Sequence, residues 1–232
     1  MNNKRIALTT SKLKREKKIK KIVKIVLLFI LLMLVILYLV IGIIYNNSNF
    51  SITLDKNLYY DRGLIVYDDP DYKVFRSELN AVSPDTFDNI SYKWLPNDLA
   101  QSRGGSHNGA NYLAYTFYVE NMGNDTSDYY SEIVIDDVIK NVDEAVRIRV
   151  YKNDVETTYA KKSSKDEAEE NTTPFLEDKL VAFDHVADFK PGDIDKYTVV
   201  LWIEGSDPEC NDNILGGEIK ITMNFNSEHT DD

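Results

Sequence analysis

Lys196–Glu204, KYTVVLWIE, sets Tyr197, Val199, Leu201 and Ile203 on one face of an extended chain and Thr198, Val200, Trp202 and Glu204 on the other. A period of two carried by β-branched and aromatic residues is the signature of a strand. Further on, Glu218–Asn226, EIKITMNFN, alternates Ile219, Ile221, Met223 and Phe225 with Glu218, Lys220, Thr222 and Asn224. That second segment is apolar on one face and polar on the other, as a sheet half-facing water requires. Strands at this spacing, with no amphipathic helices between them, predict an all-β ectodomain built as an antiparallel, jelly-roll-like β-sandwich.

Working outward, Leu180–Phe189 continues the β pattern and Lys190-Pro191-Gly192-Asp193 turns it. Ala145–Lys152 points Val146, Ile148 and Val150 inward and Arg147 and Arg149 outward, where the two arginines should pair with local carboxylates. Asn153-Asp154 reads as the loop of a hairpin returning through Val155–Tyr159. Tyr130–Val142 alternates through Ile133 and Ile135 and then shifts phase at Asp136-Asp137, which predicts a bulge or a passage into a helical turn. Tyr112–Glu120 is a half-buried strand with Leu113, Tyr115, Phe117 and Val119 facing one way. Leu64–Tyr67 is another candidate strand, and Phe50, Ile52 and Leu54 mark the first. Lys73–Leu99 is mixed, with Phe75, Leu79 and Val82 able to form one helical face. Lys161–Thr173, KKSSKDEAEENTT, has almost nothing to bury and is expected to be a mobile loop.

At the other end of the chain, Ile25–Tyr45, IVLLFILLMLVILYLVIGIIY, carries no charge. As a helix, these residues are long enough to cross a hydrocarbon core about 30 Å thick, and Ile25, Leu32, Tyr38 and Tyr45 sample its depth. A cleaved signal peptide would have a shorter apolar region and a small-residue cleavage site, and none follows Gly42. Ten basic residues and one acid, Glu16, precede the span. Such flanks stay cytoplasmic, so a signal-anchor with the N-terminus inside and the remainder outside is expected. The domain reading is a basic tail at 1–24, the span at 25–45 and a tether entering the first strand at 46–57. The sandwich follows at 58–226 with its charged loop at 161–173, and an acidic tail at 227–232 closes the chain.

Without the N-terminal segment the chain carries 17 basic against 37 acidic residues, a net of −20. A domain this acidic repels phosphate backbones, which argues against nucleic acid as a partner. Beyond the lipid bilayer, the expected partners are another surface protein or a cell-wall component, with self-assembly as a further option. Cys210 is the only cysteine, so the exported part has no internal disulfide. An unstapled ectodomain fits a bacterium with a single membrane better than a eukaryotic secretory route. The sequons at Asn46, Asn89, Asn124 and Asn171 then carry no meaning.

Catalytic signatures are missing. His107, His185 and His229 lie far apart with no H-E-x-x-H, and no G-x-S-x-G or phosphate-binding glycine fingerprint occurs. Cys210 sits in SDPECND without a nearby histidine, and Gly104-Gly105 and Gly216-Gly217 read as turn positions. Acidic loops offer weak Ca²⁺ candidates: Asp207, Glu209 and Asp212, with Asn213, in one loop, and Asp193 with Asp195 in another. Neither has EF-hand spacing, and solvated turn acids are the plainer reading. No other cofactor is expected.

Phe189–Phe225, FKPGDIDKYTVVLWIEGSDPECNDNILGGEIKITMNF, resembles the C-terminal part of exported cell-surface proteins of Gram-positive bacteria (Firmicutes), chiefly through its E-G-x-D-P-E-C loop and G-G-E-I-K strand. More distantly, the spanning N-terminus followed by an acidic all-β ectodomain resembles the TasA/camelysin group of matrix proteins. That resemblance implies a jelly roll that assembles by strand exchange. This chain lacks the group's cleavage site and any zinc motif. The expected function is a membrane-anchored, non-enzymatic surface protein serving interaction or assembly. Two alternatives stand beside it: a processed fibre subunit using Asn46–Leu54 as donor strand, and a surface hydrolase in which Asp207 and Glu209 converge with Asp193.

Overall fold

Asn3–Tyr45 forms one 43-residue helix, α1, in which the basic segment and the apolar span are continuous. The computed structural model describes residues 3–45, 49–84 and 87–227. Asn46–Ser48 of the expected tether, His229 and the acidic tail beyond Ser227 lie outside the described residues, as does the side chain of Tyr45. The chain divides into two compact units, residues 1–47 and 48–232. In the first, every large apolar side chain described between Ile19 and Ile41 is 45–76% exposed, so nothing in the unit covers the helix.

The second unit is mostly β. Strand β1 (Phe50–Leu54) leads into a short helix, α2 (Lys56–Arg62), which Asp55 caps by accepting from the Asn57 N–H. The chain continues through β2 (Leu64–Tyr67), β3 (Glu78–Ala81), β4 (Gly105–Ser106), β5 (Tyr112–Asn121) and β6 (Ser127–Ile139). Then come β7 (Val146–Lys152), β8 (Val155–Ala160), β9 (Thr173–Pro174), β10 (Leu180–Phe189), β11 (Ile194–Ile203) and β12 (Glu218–Asn226). One sheet runs β10-β6-β12-β1-β3, and the other runs β2-β5-β11-β7-β8-β9 with β4 beside β5. Inward residues of both sheets, among them Phe50, Ile52, Phe117, Ile148, Val199, Ile221 and Phe225, belong to a single buried cluster.

Several sequence expectations change. The sheets are mixed, because β1 runs parallel to β12 and β9 parallel to β8. The two segments read first lie in different sheets, β11 at the centre of one and β12 at the centre of the other. Strands β5 and β11 are buried on both faces, since Ile90, Leu95 and Leu99 cover Ala114, Val200 and Trp202 from outside. Glu204 pins that cover by accepting from Trp202 Nε1 at 3.0 Å and from the Tyr92 N–H at 2.9 Å. Leu79 sits in strand β3 and not on a helical face, and Val82 is exposed.

Other local readings hold. Asn153 and Asp154 adopt φ 49° and 66°, the left-handed pair of a two-residue hairpin turn. The phase shift in β6 is a bulge: Ile221 pairs with Ile135 and Lys220 with Asp137, leaving Asp136 extra. A single 3₁₀ turn, Val142–Glu144, follows it.

Candidate functional site

Strand β7 sets the geometry of the site. Val146, Ile148 and Val150 face the core as their alternation requires, so Arg147 must leave from the opposite face. It does not reach water there. The Arg147 side chain is 5% exposed, enclosed by Glu169 from the charged loop and by Asp207 from the loop after β11. Arg147 Nη2 donates to Asp207 Oδ2 at 2.5 Å and lies 3.4 Å from Glu169 Oε2. Asp207 is completely buried, and its Oδ1 accepts the Glu209 N–H at 2.8 Å. Glu209 in turn accepts the Ser164 N–H at 3.2 Å, tying the charged loop to the β11 loop a second time.

Carboxylate oxygens of Glu169, Asp207 and Glu209 all lie within 4.8 Å of one another, and Arg147 pairs with the first two. Burial pushes the Asp207 carboxyl up, and Glu209 beside it pushes it further. Burial, then the Asp207 charge, raises Glu169. Glu209 is held below the usual carboxylate range, first by its hydrogen bond with Asp207 and then by Ser164. Glu209 Oε2 is shielded from solvent and has no donor among the described residues.

Glu209 also lines a cleft of about 270 Å³ with Asn141, Glu144, Asn211, Asn213, Lys140 and Ile214. Lys140 is spent on structure there, donating to the Leu215 carbonyl at 2.5 Å. Beside the cleft, Lys161 reaches Asp143 and Asp178 at 2.7 Å and Glu144 at 3.2 Å. Burial lowers the Lys161 ammonium, but its bonds to Asp143 and Asp178 outweigh that and hold it above its ordinary range.

Of the acids singled out in the sequence, the structure brings Asp207 and Glu209 together. Asp212 lies exposed in a 3₁₀ turn, and Asp193 and Asp195 sit at the far end of β11, roughly 30 Å away along a ten-residue strand. Asp195 is taken up by Tyr129 Oη and by Asn153 Nδ2, and Asp193 accepts the Lys190 N–H within its own turn. Arg149 behaves as the alternation suggests. It pairs with Glu156 at 3.1 Å and lies over the Trp202 ring. Glu169 was not legible, because nothing in a segment almost free of apolar residues says which acid will fold back onto a distant arginine. The burial of Arg147 had a faint signal, a second arginine on a strand already flanked by acid-rich loops.

Chemically, the Arg147 guanidinium already pairs with Asp207 and Glu169, two of the three carboxylates a Ca²⁺ ion would need. Hydrolysis by paired carboxyl groups needs both to reach one substrate, yet Asp207 is sealed and only Glu209 opens on the cleft.

No family model matches the chain, and no curated protein matches it. Among solved structures it is similar to the β-glucosidase of Kluyveromyces marxianus in complex with glucose, at 12% identity and a TM-score of 0.25. The match covers 72% of this chain and 16% of the glucosidase, so the chain spans about a sixth of that protein's length. At that TM-score the likeness carries no functional argument.

Proposed function

We propose that the protein is a single-pass, membrane-anchored surface protein whose β unit is displayed outside the cell for interaction or assembly and performs no catalysis. The observation behind this reading is α1. Within Lys14–Ile41 an 18-residue window reaches a mean hydropathy of 3.1 with none of it buried, and an uncovered apolar stretch of that length needs lipid. Ten basic residues ahead of the span favour a cytoplasmic N-terminus. The β unit, with one core shared by two sheets, reads as a jelly-roll-like sandwich in which β1 and β9 each run parallel to one neighbour.

A processed fibre subunit is the second reading. It draws on β1, a first strand that slots between β12 and β3. Fractionation of the native host with intact-mass measurement separates the two. Full-length chain in the membrane fraction, with the β unit open to external protease, supports the anchor. A chain beginning near Asn46 in the medium or wall overturns it and favours the subunit.

A further inference from the structure

The first and last strands of the β unit are neighbours, and they run in the same direction. Strand β1 pairs with β12 from Phe50↔Ile221 to Leu54↔Phe225 in unbroken parallel register. From the geometry we infer that this pair is a load-bearing clamp: tension between the N-terminal entry and the C-terminal exit of the β unit is carried as shear along β1.

The mechanics follow from direction alone. Force on the chain before Asn49 draws β1 backward along its axis, and force on the chain after Asn226 draws β12 forward along its own. Strands that are parallel neighbours then slide past each other, and the bonds between them are loaded together. Pulling both strands from the same end would instead open the ladder one bond at a time. Because force-driven unfolding is governed by the barrier crossed, the same contacts resist very differently in the two directions.

Four features suit β1 to this role. Its ladder is bracketed by backbone bonds at both ends, Ile221 N–H to the Asn49 carbonyl at 3.0 Å and Asp55 N–H to the Phe225 carbonyl at 2.9 Å. It is held on its other side by β3, from Phe50↔Ala81 to Thr53↔Glu78, so sliding must break two ladders. Its inward side chains, Phe50, Ile52 and Leu54, are at most 5% exposed and interlock with the core. Its outward side chains add cross-strand bonds, Thr53 Oγ1 to Asn224 Oδ1 at 2.6 Å and Ser51 Oγ to Asn80 Oδ1 at 3.0 Å. The partner strand is itself fixed, since β12 pairs along its whole length with β6.

The clamp lies at the first residues described after the apolar helix. Its use in the cell therefore rests on the anchored reading, whereas its mechanics do not.

Single-molecule force spectroscopy on the full chain in a nanodisc tests this. Handles are attached through introduced cysteines, with Cys210→Ser in every variant. One geometry uses Ser48→Cys and Ser227→Cys, which loads β1 and β12 in shear. The other uses Ser48→Cys and Leu215→Cys, which loads both strands from the same end; Leu215 is exposed and tolerates a handle. At equal loading rate the first geometry is expected to need at least about twice the rupture force of the second, because its bonds fail together. Equal forces in the two geometries would overturn the clamp. A strong clamp in a protein that fractionation finds free of membrane would keep the mechanics and remove the anchor.

Discussion

Replacing Arg147 by methionine removes the cation that pairs with Asp207 and Glu169 while keeping the bulk of the side chain. The arginine is 5% exposed and Asp207 fully buried, so the charge left behind cannot be rescued by water. Breaking a buried pair from one side costs about 3–5 kcal/mol. Here the lower end applies, because Asp207 is already pushed toward its protonated form and can neutralise itself. A loss of about 3 kcal/mol at pH 7 lowers the melting point of a unit this size by roughly 6–12 °C. The sign of the pH dependence is fixed. An acid whose pKa is raised on folding contributes stability that is present below its unfolded value near 4 and is lost as pH rises through the folded value. Asp207 and Glu169 are such acids, and removing the guanidinium raises both further, so the deficit of the variant grows from pH 5 to pH 8. The assay is thermal and denaturant unfolding of the full chain followed by circular dichroism. Adding Asp207→Asn to R147M should recover part of the loss. A deficit under about 1 kcal/mol at pH 7, or one equal at pH 5 and pH 8, would refute this account of the cluster.

Further outcomes follow from other parts of the unit. Gly63 has φ +75° and a Cβ there would lie 2.5 Å from Gly123 Cα, so Gly63→Ala should cost at least about 2 kcal/mol. Gly192→Ala, at φ +86° with open space around it, should cost only about 1 kcal/mol, and chemical denaturation of both variants checks the difference. Calcium should leave the melting point of the wild-type chain unchanged, because Arg147 already pairs with Asp207 and Glu169; a clear upward shift that Glu169→Gln abolishes would show a metal site instead. Burial raises the Cys210 thiol, and the charges of Asp207 and Glu204 raise it further, so a thiol reagent at pH 8 should modify it far more slowly in the folded than in the unfolded chain.

Much of the β unit was legible because alternation is a local property. Phe50-Ile52-Leu54, the hairpin at Asn153-Asp154 and the bulge at Asp136 each follow from a few neighbouring residues, and each is found. What stayed hidden depends on pairings across long stretches of chain. Nothing near Ile221 says that its neighbour will be Phe50, running parallel to it, and nothing near Arg147 says that Glu169 will close over it. The double-sided burial of β11 did leave a trace, since Val200 and Trp202 make its second face apolar as well. That trace could be read only once a covering segment was known, and Ile90, Leu95 and Leu99 lie in the stretch whose pattern was least clear.

The sheet edges bear on how copies of this chain would meet. The five-stranded sheet ends in β3, only four residues long, and in β10, which is ten residues long and the more inviting template for another strand. Strand β10 is ill suited to that use. Its register breaks between Leu180 and Ala182 and again between Val186 and Phe189, Asp188 takes φ 56°, and Asp184 and His185 put charge or polarity in its middle. Bulges and charges of this kind are what keep an exposed edge from pairing. Within this sheet, assembly by strand exchange would use the slot between β12 and β3, where β1 of the same chain already sits with Phe50, Ile52 and Leu54 buried. Vacating that slot means breaking two ladders and withdrawing three core side chains. A subunit that exchanged β1 would thus assemble slowly and hold tightly.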